Sequence, residues 1–135
     1  MINKNFDIDF AIQLAILHDT LEDTETTLKE LETVFGTKVA LGVQALTKNK
    51  NFTSKRERLL DSLNRINELE KEVGIVKLAD RITNLQKPPN HWDKAKIQNY
   101  LNEAIIINQK LDNKNPYLNN RPLFKINEYK KYTEE

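Results

Sequence analysis

Cysteine is absent from this 135-residue chain, and glycine and proline are scarce, at 3 and 4 residues. Without cysteine there is no disulfide framework, no thiol nucleophile and no cysteine zinc site, a composition suited to a reducing cytoplasm. So little glycine and proline argues against a β-sandwich or barrel, which uses turn residues freely, and favours helices with few breaks. Long hydrophobic runs are missing too. No stretch approaches the roughly 18 apolar residues of a membrane span, and the polar, acidic N-terminus from Met1 to Asp9 is unlike a secretion signal. Nor does one charge dominate: 21 Lys and Arg against 20 Asp and Glu leave a net charge of +1. That gives no global pull towards nucleic acid or anionic lipid, so any anion binding must come from local patches.

What the chain does contain is helical periodicity. One helix is expected from about Phe6 to Asp19, with Phe10, Leu14, Leu17 and Leu21 on one stripe. Ile12 and Ile16 lie on another flank, which predicts a central position for it. Thr27 with Glu30 forms a capping box for a second helix, and Gly36 supplies its stop. A third takes Lys38 to Leu46. Ser54 with Glu57 opens a long charged helix to about Glu72, and Gly74 is expected to separate it from a fifth, Ile75 to Leu85. Pro88 and Pro89 break the chain before a sixth, Trp92 to Leu111. No repeat and no strand pattern emerges. The expectation is an all-α domain of about six helices over residues 1–111, followed by a loop-rich tail, 112–135. The aromatic and aliphatic residues of that tail, Phe124, Ile126, Tyr129 and Tyr132, are expected to pack on the domain or on a partner.

Chemistry concentrates at the end of the first helix, where His18 and Asp19 are followed by Glu22 and Asp23. On one continuous helix these four fall within a sector of roughly 140°, with the small residues Ala11 and Ala15 below them. Carboxylates crowded around an imidazole repel one another unless a cation or strong donor joins them, and such a donor set suits Mn²⁺, Fe²⁺ or Zn²⁺. A solvated helix end with a chance histidine is the alternative, weakened because acids at a helix C-terminus oppose the helix dipole. A second acid, Asp80, shares a polar helix edge with Lys77, Arg81 and Asn84; taken alone, a surface ion pair would explain it.

Four segments together resemble the hydrolase domain of the RelA/SpoT family, and within it the small stand-alone metazoan-type members. They are Ala15-Ile-Leu-His-Asp-Thr-Leu-Glu-Asp-Thr24, Val34-Phe-Gly-Thr-Lys-Val-Ala40, Ala45-Leu-Thr-Lys48 and Val76-Lys-Leu-Ala-Asp-Arg-Ile-Thr-Asn-Leu85. The resemblance covers roughly residues 8 to 111. It implies an all-helical HD domain that binds Mn²⁺ and degrades the stringent-response alarmones guanosine tetra- and pentaphosphate, yielding GDP or GTP and pyrophosphate. It further implies His18, Asp19 and Asp80 as metal ligands, and Glu22 and Asp23 as the pair that positions and deprotonates the attacking water. Asn84, Lys55, Lys96 and Tyr100 take the place of substrate-binding residues, with Lys96 standing where the family more usually has arginine. That exchange keeps the charge and gives up bidentate phosphate geometry. Lys48, Lys50, Lys55, Arg56 and Arg58, against Glu57 alone, make a local basic patch able to face an anionic substrate; a solvated helix start is the bland alternative.

The chain also departs from the family. The family's further ligand histidine, one helix earlier, has no counterpart, because no histidine precedes His18. His91, in Pro-Pro-Asn-His-Trp, fits a surface or stacking role rather than a ligand. Three explanations are open: an upstream segment outside this sequence (the one favoured), a second chain supplying the helix, or a domain that binds guanine nucleotides without turning them over. Another HD-type phosphohydrolase activity is disfavoured by Glu22/Asp23 and Lys96/Tyr100. Self-association is left open.

Overall fold

The computed structural model describes residues 6–118 and 120–134; residues 1–5 of the acidic N-terminal stretch, Asn119 and Glu135 lie outside it. Among the described residues every regular element is helical: α1 (Ile8–Leu17), α2 (Thr20–Asp23), α3 (Leu28–Phe35), α4 (Thr37–Leu46), α5 (Lys55–Asn67), α6 (Lys71–Asn84), α7 (Lys94–Lys110) and α8 (Arg121–Tyr129), with 3₁₀ turns over Asp112–Leu118 and Lys130–Thr133. The all-α expectation holds. The chain divides into two compact units, residues 1–76 and 77–135.

In the first unit α4 is the hub, packing on α1, α3 and α5. Its Val39, Ala40, Val43 and Ala45 are buried with Leu14, Leu31, Leu59, Leu63 and Ile66. The close approach of α1 and α4 depends on Gly42, where a Cβ would stand 2.5 Å from Leu14 Cδ2. The first helix is not the central one. It buries only Phe10 and Leu14, while Ile12 and Ile16 are 50% and 74% exposed. A stripe of two large residues is enough to dock it, and the isoleucine flank faces water. The caps follow the sequence more closely. Asp7 accepts from Phe10 N–H at the start of α1, and that hydrogen bond holds its carboxyl below the ordinary value. The Thr27–Glu30 capping box is complete. Gly36, at φ +94°, ends α3 and opens α4 in one residue, a conformation cheap only for glycine. Ser54 caps α5 through the N–H of Glu57.

The long charged helix stops earlier than expected, at Asn67, a residue of low helix propensity, and the break falls at 68–70 rather than at Gly74. Gly74 is buried inside α6, where close packing outweighs its modest helix penalty.

The second unit is built on a cluster of Leu85, Leu101, Ala104, Ile126 and Tyr129, joined by Ile97, Tyr100, Ile105 and Tyr132. Ile126 and Tyr129 are thus buried with Leu85, Leu101 and Ala104, and Tyr132 packs against them, whereas Phe124 is 62% exposed. The tail is not loop-rich. Asn120, in the left-handed region at φ 59°, and Pro122, in the first turn, start α8 rather than interrupt a helix. Its buried residues Pro122, Ile126 and Tyr129 follow helical spacing.

Candidate active site

His18 and Asp19 sit at a junction, not along a continuous helix. α1 ends at Leu17, His18 caps it, and Asp19, at φ −99° and ψ 0°, begins the single turn of α2. Glu22 and Asp23 thus lie in the first turn of a new helical segment. The dipole argument made from the sequence assumed one continuous helix and does not carry over to this single turn, of which Glu22 and Asp23 are the last two residues.

The junction fixes the imidazole. His18 Nδ1 is 2.7 Å from the Ala15 carbonyl, which can only accept, so Nδ1 carries the proton. Nε2 lies 3.0 Å from Asp19 Oδ2. Two lone-pair atoms at that separation repel unless a proton or a metal cation joins them, and a backbone carbonyl on the far nitrogen is the usual brace of a metal-ligating histidine. The pair suits a divalent cation as two of its ligands. Among the described residues no group of three or more His, Asp or Glu side chains is already gathered for a metal ion.

Around this junction the first unit holds further groups in place. Glu22 Oε1 accepts the Lys48 N–H at 2.9 Å, tying the acid to the segment that follows α4. Asp23 is exposed. Lys55 is exposed at the first position of α5. Arg58 of the basic patch is partly committed, since its Nε donates to the Phe52 carbonyl. Arg65 carries no signal in the sequence, yet it braces the end of α4: Nη1 and Nη2 donate to the Gln44 and Thr47 carbonyls at 2.6 and 2.8 Å, and Nη2 is 2.9 Å from Asp61.

In the second unit Asp80 and Asn84 are neighbours on α6, with Asn84 Nδ2 3.4 Å from Asp80 Oδ1. Tyr100 is held by Arg81 of the same helix, which the sequence offered only as an ion-pair partner. The Arg81 guanidinium stacks 4.0 Å from the Tyr100 ring centroid, donates to the Tyr100 carbonyl at 3.3 Å and pairs with Glu103 at 3.4 Å. The Trp92 ring meets Tyr100 edge-on at 5.3 Å and carries the Lys96 ammonium 4.6 Å above its own face. Lys96 and Tyr100 are therefore joined through Trp92, and an aromatic face supplies positional definition that a lysine lacks by itself. Burial pushes the Tyr100 hydroxyl above its ordinary pKa, with Arg81 opposing the shift. His91 is exposed, in keeping with a surface role.

Comparison with known proteins decides the family. The guanosine-3′,5′-bis(diphosphate) 3′-pyrophosphohydrolase MESH1 of Danio rerio is 39% identical over 100 residues, covering 71% of this chain and 55% of that protein. Its Mus musculus counterpart is 34% identical over 111 residues, 79% of this chain and 62% of that protein. The GTP pyrophosphokinase rsh of Brucella ovis is 41% identical over 81 residues, 56% of this chain and 11% of that protein. The chain belongs to the RelA/SpoT family. A solved structure reported as a metazoan ortholog of SpoT that hydrolyses ppGpp matches with a TM-score of 0.72 at 24% identity, over 92% of this chain and 69% of that one. At that identity the likeness establishes the RelA/SpoT hydrolase fold and not its chemistry. No protein-family model matches the chain. It spans 55% to 62% of the length of these two MESH1 relatives. No helix among the described residues is long and apolar enough to cross a membrane.

Proposed function

We propose that this chain hydrolyses the 3′-pyrophosphate of guanosine tetra- or pentaphosphate in a divalent-metal-dependent reaction, releasing pyrophosphate and leaving GDP or GTP. The observation that carries the reading is the His18–Asp19 pair, its imidazole oriented by the Ala15 carbonyl, with two further acids in the next turn. Similarity to relatives named for this activity supports it.

In this reading His18 Nε2, Asp19 and Asp80 hold the cation, Mn²⁺ in the first instance, and Asn84 steadies Asp80 through its amide. The ion supplies Lewis acidity at the attacked phosphorus and an ionisable water. Of the two acids, Asp23 takes the proton from the attacking water. Glu22 is engaged by the Lys48 N–H and positions that segment instead. Tyr100 and Lys96 bind the nucleotide's sugar and phosphates from the Trp92–Arg81 platform, and Lys55 with its basic neighbours offsets the charge of the leaving nucleotide. The same reading places the chain in the cytoplasm.

Pyrophosphate release from guanosine tetraphosphate, with Mn²⁺ and with chelator, tests the proposal. The expected result is metal-dependent turnover that Asp23→Asn lowers by about 100-fold or more, the scale of a lost general base, with an unchanged circular dichroism spectrum. Nucleotide binding without turnover, or an Asp23→Asn variant as active as the parent, overturns it.

A further inference from the structure

A second candidate site lies wholly within the 77–135 unit. A cavity of about 630 Å³ is lined by Ile82 of α6, by Gln86 just beyond its end, and by Arg121, Phe124, Lys125 and Glu128 of α8, among others. Its volume is that of a small-molecule pocket. On α6, at 100° per residue, Ile82 points roughly 160° away from both Asp80 and Asn84, and none of the cavity's lining residues belongs to the proposed reaction. The cavity is thus distinct from the residues of the proposed reaction.

Its chemistry is specific. Arg121 and Lys125 stand one turn apart on α8, an arrangement in which like charges repel. None of the ion pairs among the described residues involves either of them. Between them in sequence Phe124 lines the same cavity and is 62% exposed, a large aromatic that contributes little to the core. Two cations with an open ring face call for a phosphate attached to a flat ring. Glu128, one turn beyond Phe124, sets the local charge at +1, which suits a single phosphoryl group better than a polyphosphate chain, and its carboxylate accepts from a base N–H or a ribose hydroxyl.

We propose that this cavity binds a nucleoside monophosphate, with the phosphate on Arg121 and Lys125 and the base stacked on Phe124. The inference is independent of the hydrolase reading. Titration calorimetry of the full chain in chelator, with GMP, AMP, ribose 5-phosphate and inorganic phosphate, tests it. GMP or AMP is expected to bind more tightly than either base-free phosphate. Phe124→Ala weakens that binding about tenfold, the scale of one base–aromatic stack; Lys125→Glu weakens it at least as much, and Lys96→Ala leaves it within twofold. All three side chains are wholly or partly exposed, and matching thermal melts show that the variants are folded. Equal affinity for ribose 5-phosphate and GMP, binding insensitive to Phe124→Ala and Lys125→Glu, or no binding at millimolar nucleotide overturns the proposal.

Discussion

The two units organise their candidate site residues by different means. In the first, His18, Asp19, Glu22 and Asp23 are set by the backbone: a helix ends, a new turn begins, and carbonyls and N–H groups fix the side chains. In the second, Lys96 and Tyr100 are set by packing, through a run of ring contacts from Trp92 to Tyr100, Tyr129 and Tyr132 and the Arg81 guanidinium stacked on Tyr100. A site built on backbone geometry tolerates loss of a distant side chain. One built on packing does not.

Arg81→Ala is the sharpest way to break that contrast. It removes a stack, a bond to the Tyr100 carbonyl and the Glu103 pair at once. The expected cost is about 2 kcal/mol of stability in chemical denaturation, with KM for guanosine tetraphosphate raised about tenfold and kcat much less affected, as expected when binding alone is lost. Arg81→Lys should restore part of both. An Arg81→Ala variant with unaltered KM would separate Tyr100 from Arg81.

Arg65→Ala probes the other unit. It frees the last carbonyls of α4 and the segment tied to Glu22, with an expected loss of about 1 kcal/mol and a smaller change in KM than Arg81→Ala. A larger kinetic effect than that of Arg81→Ala would reverse the comparison.

A smaller effect comes from pH. Burial holds the Tyr100 and Tyr129 hydroxyls above their ordinary value of 10. A proton bound more tightly in the folded than in the unfolded state stabilises the fold fully below pH 10, and that contribution is lost as pH rises through the folded-state values. Melting temperature should therefore fall above pH 10, and Tyr100→Phe should make that fall shallower. An unchanged alkaline limb would show that Tyr100 has no part in it.

The same contrast explains what was legible in the sequence. The His18-Asp19-Thr-Leu-Glu22-Asp23 run is contiguous, and caps such as Thr27–Glu30 are local, so both could be read directly. Contacts between distant positions could not: Arg65 with Gln44, or Arg81 with Tyr100, leave no periodic trace. Local readings failed where packing or capping prevailed. Gly74 is held inside α6 by its buried surroundings, and Asn120 and Pro122 begin a helix whose Pro122, Ile126 and Tyr129 stripe was present in the tail all along.

The most direct test is a Mn²⁺ titration of the purified chain followed by electron paramagnetic resonance, in parallel with His18→Ala and Asp80→Asn. One tightly held equivalent for the parent chain, weakened strongly by either substitution, is the predicted result. A parent chain that takes up no ion, or an Asp80→Asn variant that holds it unchanged, would contradict a shared cation.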